Sequence, residues 1–383
     1  MARKLQTRLT HIAGKRLSAT VNPPLERGST LLMPDINALY KATPSYGRMG
    51  HTVHRELETG LCQLEQAGHA RLTPNGLSAC ALALASFVEA GDHVLIADNI
   101  YGPTRRFCTR RLHKMGVRTS FFRYDIGADI ESLVEERTRL IYLESPGSLT
   151  FDICDTPAIV SVAEKAGLIS ILDNTWGCGI AFQPLALGVD VSVQALTKYI
   201  VGHADALGGA VLSRTPAHAH QINQTAEDWG LSLGPDEAYL ALRGLRTLPT
   251  RYRVHEAAGL KLAHWLQDHP AIDRVLHPAL PEHREHALWL RDFKGSNGLF
   301  GLVPKPMNET QKQTFFSSLT LFGFGFSWGG FESLLIPADP KTVRSPDHWM
   351  SQAPQDLWRI HVGLEDVEDL ICDLDQAFMR AGL

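Results

Sequence analysis

The chain has 383 residues, 44% of them hydrophobic and 20% charged, with a net charge of −4; this ordinary globular balance argues against nucleic acid or an anionic membrane surface as the main partner. No run approaches the roughly 18 apolar residues needed to span a bilayer, and the basic start MARKLQTRLTHIAGKR is not followed by an apolar stretch of secretory type. Six dispersed cysteines (Cys62, Cys80, Cys108, Cys154, Cys178, Cys372) include no C-x-x-C pair and read as reduced thiols, so the expectation is a soluble cytoplasmic protein with neither a disulfide frame nor a structural zinc.

Residues 1 to 50 are polar and punctuated by Pro23, Pro24, Pro34 and Pro44, which reads as an arm and not as a domain. The run 76-GLSACALALASFVEAG-91 predicts a small-residue helix closed by Gly91. Strands are then expected at 93-HVLIAD-98, 118-RTSFFRYD-125, 139-RLIYLES-145, 168-LISILD-173 and 188-GVDVSVQALT-197, with a helix at 158-AIVSVAEKAG-167. Short apolar strands alternating with helices predict an α/β unit with a mostly parallel sheet over residues 51–244, ending near 207-LGGAVLS-213. From residue 245 an amphipathic stretch, 252-YRVHEAAGLKLAHWLQDH-269, a strand at 298-GLFGLV-303 and a last helix, 364-LEDVEDLICDLDQAFMRA-381, predict a smaller α+β domain. The acidic residues of that helix read as its solvated face. His283 and His286 in 281-PEHREHALWL-290 have no third ligand nearby in sequence, so an exposed helix face is expected there and no metal.

In such sheets ligands collect beyond the carboxyl ends of the strands, and four features stand at such ends or at a helix start. The turn 73-TPNGLSA-79 opens a helix, whose free N–H groups and dipole favour a phosphate. Asp173 closes an apolar strand in 172-LDNTWG-177; such a residue is most often a turn former, but it also suits a buried cation. Lys198 in 195-ALTKYIVGHAD-205 follows another strand. It either snorkels to water or, desolvated, offers a neutral nucleophilic amine. Tyr101 in 98-DNIYGPT-104 brings an aromatic ring to the same edge. Each signal alone has a duller reading. Together an anion site, an acid, an amine and a ring match pyridoxal 5′-phosphate.

The segments 45-SYGRMG-50, 143-LESPGSLTFDICD-155, 172-LDNTWG-177, 195-ALTKYIVGHAD-205, 240-LALRGLRTLP-249, 326-FSWGGFESL-334 and 357-LWRIHVGLEDVEDLI-371 resemble the trans-sulfuration (Cys/Met metabolism) family of pyridoxal-phosphate enzymes, built on the type I aminotransferase fold. The forms SYGRxG, LESPGS, DNTW and FSWGGFES resemble its bacterial β-lyase branch, and the YSR…NPT pattern usual in the γ-enzymes is missing.

The resemblance implies that Lys198 bonds to the cofactor aldehyde and later carries the substrate proton. Asp173 would hold the pyridine nitrogen, Tyr101 would stack on the ring, and Gly76, Leu77 and Thr197 would hold the phosphate. Tyr46 and Arg48 would reach that phosphate from a neighbouring subunit, making a homotetramer of active dimers. Arg359 would clamp the substrate carboxylate in a pocket shared with Ser327 and Trp328. Where many relatives carry a serine three positions before the lysine, this chain has Ala195. The implied reaction is β-elimination of L-cystathionine to homocysteine, pyruvate and ammonia, in methionine biosynthesis, with an amino-acid thioether as the only partner. A cystathionine γ-synthase or a cysteine desulfhydrase is the alternative on the same scaffold. A nicotinamide-dependent oxidoreductase is the alternative from another class, but 76-GLSACA-81 keeps only the first glycine of G-x-G-x-x-G.

Overall fold

The computed structural model describes residues 3–12, 20–41, 44–342, 344–345 and 356–383. Among them, seven strands share one sheet: β1 (His69–Thr73), β2 (His93–Ala97), β3 (Arg118–Phe122), β4 (Thr138–Glu144), β5 (Ile169–Asp173), β6 (Val191–Gln194) and β7 (Gly209–Ser213). Their order is β1-β7-β6-β5-β4-β2-β3. Strands β2 to β6 pair in parallel, while β7 runs antiparallel to both neighbours. The sequence explains the burial: β2 (HVLIA), β6 (VSVQ) and β7 (GAVLS) are covered on both faces, as parallel-sheet interiors are. Because β1 pairs with β7 and β7 with β6, Thr73, Gly209 and Gln194 share one edge with the carboxyl ends of β2, β4 and β5. That edge is where the chemistry collects.

A second sheet of β8 (Ile272–Leu276), β9 (Leu299–Pro304), β10 (Leu334–Ala338) and β11 (Leu357–His361) has the order β10-β11-β9-β8 and is antiparallel throughout. The helix Val367–Arg380 lays Leu370, Leu374, Ala377 and Phe378 on it, a stripe at helical spacing.

One helix, Pro235–Gln267, joins the two layers with Pro249 in its interior. Its residues Ala238 to Tyr252 belong to the core of the large sheet, and Ala258 to Leu266 belong to that of the small one. The expected division at residue 245 therefore falls inside a continuous helix, and the change of core comes between Tyr252 and Ala258.

Other expectations also shift. The helix opening at Gly76 ends at Ala85, and Gly91, at φ +91°, serves the turn into β2 instead. The N-terminal stretch is not all arm, because Leu9 and Ile12 are buried in the large core. The last helix is not acidic only towards water: Asp373 is buried and accepts the N–H groups of Thr320 and Leu321. His283 is buried too, not displayed on an exposed face, and burial pushes its imidazole down to about 4.

The long helix also fixes the turn after β6. Arg251 donates to the carbonyls of Tyr199 (2.8 Å), Ile200 (3.2 Å) and Gly244 (2.8 Å). Gly244 lies so close that a Cβ there would meet Ile200 O at 2.2 Å and Val201 O at 2.4 Å. Backbone atoms cannot yield as a side chain can, so Gly244→Ala is expected to destabilise the fold by about 1–3 kcal/mol. The check is a lower urea midpoint at unchanged m-value.

Candidate active site

A cavity of about 360 Å³ opens at the carboxyl edge of the large sheet and is closed from the other side by the small domain. Of the residues singled out in the sequence, Gly76, Leu77, Tyr101, Asp173, Thr197, Lys198, Ser327, Trp328 and Arg359 all line it. Tyr46 and Arg48 do not. They lie on the segment bridged to Thr30, with Tyr46 half-exposed and the Arg48 guanidinium 5.9 Å from its ring.

The helix Gly76–Ala85 begins at the cavity. Its N-cap Asn75 accepts from Ser78 N–H at 2.9 Å, which leaves the N–H groups of Gly76 and Leu77 without an acceptor among the described residues. A Cβ on Gly76 would strike the Cβ of Ala195 at 2.5 Å, so bare backbone is required here. Two free N–H groups on the first turn form a cradle for an anion. The Thr197 hydroxyl beside it is engaged with Gly208, 3.1 Å from its N and 3.2 Å from its O.

Asp173 ends β5, and its Oδ1 accepts both the hydroxyl (2.6 Å) and the N–H (3.0 Å) of Thr175. Cys80 Sγ lies 3.5 Å from Oδ2. Burial nevertheless raises the pKa of this carboxyl above the usual range, outweighing the Thr175 hydrogen bonds. A buried acid so poorly matched by cations suits a protonated ring nitrogen.

Lys198 follows the end of β6, half-buried, with Nζ 2.7 Å from Ser327 Oγ and 5.3 Å from the centre of the Trp328 ring. Burial, with the repulsion of Arg359 added, pushes its ammonium down to about 8, and Asp173 opposes the shift. A useful fraction of neutral amine is thus present near neutral pH. Arg359, on β11, donates from Nη2 to the Ser327 carbonyl at 3.0 Å. Burial lowers its guanidinium to about 10, so it stays charged at neutral pH, and no acidic side chain among the described residues pairs with it. A charged fork free of any protein carboxylate fits a substrate carboxylate.

Several residues of this wall were not singled out beforehand. Glu144 lines the cavity, is paired in register with Asp173, and accepts the Tyr101 N–H at 2.5 Å. Burial first, then Asp173, drives its pKa well above the carboxylate range. The signal was available, since Glu144 ends an apolar strand just as Asp173 does. Thr175 and Cys80 carried no comparable mark.

An anion cradle, a buried acid and a perturbed lysine in one cavity are the groups that a pyridoxal phosphate on a type I fold would need. Residues 6–379 match the model of the Cys/Met metabolism PLP-dependent enzyme family. The chain is 40% identical to the cystathionine beta-lyase of Escherichia coli (strain K12), covering 99% of each, and 40% identical to that of Bordetella avium, covering 99% of this chain and 98% of the relative. Among solved structures, a cystathionine gamma synthase of Xanthomonas oryzae pv. oryzae in complex with aminoacrylate and cysteine superposes with a TM-score of 0.92 at 28% identity, covering 100% of this chain and 99% of the other. The chain belongs to the Cys/Met metabolism PLP-dependent enzyme family, and its cofactor is pyridoxal phosphate.

Capture of the cofactor aldehyde requires the neutral amine. The rate of reconstitution of the apoprotein is therefore expected to rise with pH and level off above about 8, the value of Lys198, not near the ordinary lysine range of about 10.4. Stopped-flow absorbance against pH reads the midpoint.

Proposed function

We propose that this enzyme is a carbon–sulfur lyase that eliminates the thiol from L-cystathionine, yielding homocysteine, pyruvate and ammonia on the route to methionine. The observation that carries the reading is the convergence of Lys198, Asp173 and Arg359 on one cavity, in a chain aligned over nearly its whole length with cystathionine beta-lyases.

The bound cofactor supplies an electron sink that makes the α-proton of an amino acid removable. The protein's part follows from its side chains. Gly76, Leu77 and Thr197 would hold the phosphate, Tyr101 would cover the ring and Asp173 would keep the ring nitrogen protonated. Arg359 takes the α-carboxylate as a fork and fixes which substituent faces Lys198. The Lys198 amine, steadied by Ser327 Oγ, removes the proton from Cα. The departing sulfur takes a proton from Lys198 or from the Tyr101 hydroxyl. β-Elimination needs one proton removed, at Cα, and among the described residues Lys198 is the one side-chain amine lining the cavity.

Tyr46 and Arg48 serve the cavity of a neighbouring subunit in this reading, because they stand outside their own. The segment that carries them exposes Val21, Leu32, Ile36 and Tyr40, a run of apolar side chains suited to a subunit interface. A homotetramer built from two such dimers, located in the cytoplasm, completes the proposal. No helix among the described residues is long and apolar enough to cross a membrane.

With L-cystathionine, purified enzyme is expected to release pyruvate and a new thiol in equal amounts. Release of 2-oxobutyrate and cysteine would instead place it among the γ-enzymes. Arg359→Lys should raise KM at least about tenfold, a loss of about 1.4 kcal/mol, since an ammonium cannot reproduce the two-pronged contact. Lys198→Ala and Arg48→Ala should each be inactive or nearly so. Refolded together they should regain turnover, because a mixed dimer carries one intact site. Failure to complement would sink the shared-site arrangement.

A further inference from the structure

Strand β11 carries Arg359 and His361 two residues apart, hence on one face. Arg359 reaches the cavity, whereas His361 lies a layer beneath it, fully buried. Its Nε2 is 3.1 Å from the Gly329 nitrogen and 3.2 Å from the Gly330 oxygen. The turn it meets is under tight constraint. Gly329 adopts φ +83°, and a Cβ there would lie 2.7 Å from Tyr199 N and 2.9 Å from Lys198 C. Ser327, a non-glycine residue, is held at φ +85°, a left-handed conformation that persists only where its surroundings enforce it. From that conformation its hydroxyl meets Lys198 Nζ and its carbonyl meets Arg359. One imidazole nitrogen thus supports a turn that meets the lysine amine through Ser327 and the lysine backbone through Gly329.

The chemistry of the ring narrows its protonation. The buried Gly329 N–H needs a lone pair, which Nε2 offers only when the proton is on Nδ1. The alternative tautomer, donating to Gly330 O, would strand that N–H. Burial, with His255, Arg359 and Lys198 as neighbouring cations or partial cations, pushes the imidazole down to about 3, so the acceptor is present throughout the working range. The ring of His255 stands 5.4 Å away, centre to centre. Its Nδ1 lies 2.9 Å from the Val362 carbonyl and so carries the proton. His255 Nε2 and His361 Nδ1 have no partner among the described residues.

We propose that His361 is a positioning residue for Lys198: as the Nδ1–H tautomer it accepts the Gly329 N–H and so holds Ser327 against the lysine amine. The proposal rests on Lys198 as the reacting amine, but not on which thioether is cleaved.

His361→Phe fills the space without an acceptor, and His361→Gln returns a carbonyl oxygen at comparable reach. In the apoenzyme, competitive labelling with acetic anhydride, read by peptide mass spectrometry, gives the titration midpoint of Lys198 with no substrate present. The charges facing that amine are Asp173 on β5 and Arg359 on β11, with the Tyr101 phenol in the same cavity, and neither substitution removes any of them. The Phe variant is expected to lower the midpoint, because the ammonium loses its hydroxyl acceptor. It should also cut kcat about tenfold or more with little change in KM, and the Gln variant should restore both. A Phe variant with an unchanged midpoint, or a Gln variant no better than Phe, would overturn the proposal. Should the Phe variant not fold, ¹⁵N spectra of the wild-type apoenzyme decide: protonation of His361 at Nδ1 supports it and protonation at Nε2 overturns it.

Discussion

The structure depends on keeping one lysine poorly solvated, close to a second cation, and still able to carry charge. Burial and Arg359 both work against the Lys198 ammonium, and the charge of Asp173 works for it, with the balance at about 8. A flexible support would relax that balance, since an amine on a four-carbon stem escapes to water readily. The surroundings deny it the freedom. Arg251 grips the carbonyls of Tyr199 and Ile200 from the long helix, Gly244 brings that helix to backbone contact, and Gly329 closes on the Lys198–Tyr199 peptide from the small domain. Both layers of the fold thus converge on the turn from Lys198 to Val201, and Lys198 is held because it sits where they meet.

This dependence explains which parts of the site were legible in the sequence. Lys198, Asp173 and the Gly76 turn stand out because each is a chemically odd residue at the end of an apolar strand or the start of a small-residue helix, and strand ends are where an α/β sheet exposes its ligands. The parallel sheet itself was readable from β2 and β4, whose apolar runs VLIA and LIYL show no alternation. Thr175 and Gly329 were opaque for the opposite reason. Their importance comes from a hydrogen bond or a close approach between segments far apart in sequence, and periodicity carries no trace of that. The helix Pro235–Gln267 misled because the amphipathic stretch 252–269 reads as the start of a second domain. The stretch continues the same helix, which moves there from one core to the other.

Glu144 and Asp173 place two carboxyl groups side by side in register at the cavity wall, an arrangement that would be costly if both were ionised. The structure separates their duties. Asp173 takes two hydrogen bonds from Thr175 that favour its anionic form. Glu144 receives one backbone N–H, from Tyr101, and is driven well above the carboxylate range by burial and by Asp173 itself. Of the two, Asp173 is the better supported as an anion. Glu144 anchors the loop that carries Tyr101.

Thr175 then links this acid to the lysine. Its hydroxyl donates to Asp173 Oδ1 at 2.6 Å and accepts the Ala195 N–H at 3.0 Å, so the strand end bearing the acid is tied to the segment leading to Lys198. Ala195 looks like a deficit where relatives would supply a serine hydroxyl. Here its methyl faces Gly76, at a spot where a Cβ on Gly76 would come within 2.5 Å. The helix start at Gly76 and the lysine turn are thereby pressed together with only the Ala195 methyl between them. A side-chain hydroxyl is given up, and the N–H groups of Gly76 and Leu77 are held firmly against the segment that bears the lysine. A cradle of fixed backbone dipoles loses little on binding because nothing in it must reorganise, and that rigidity is what the small residue secures.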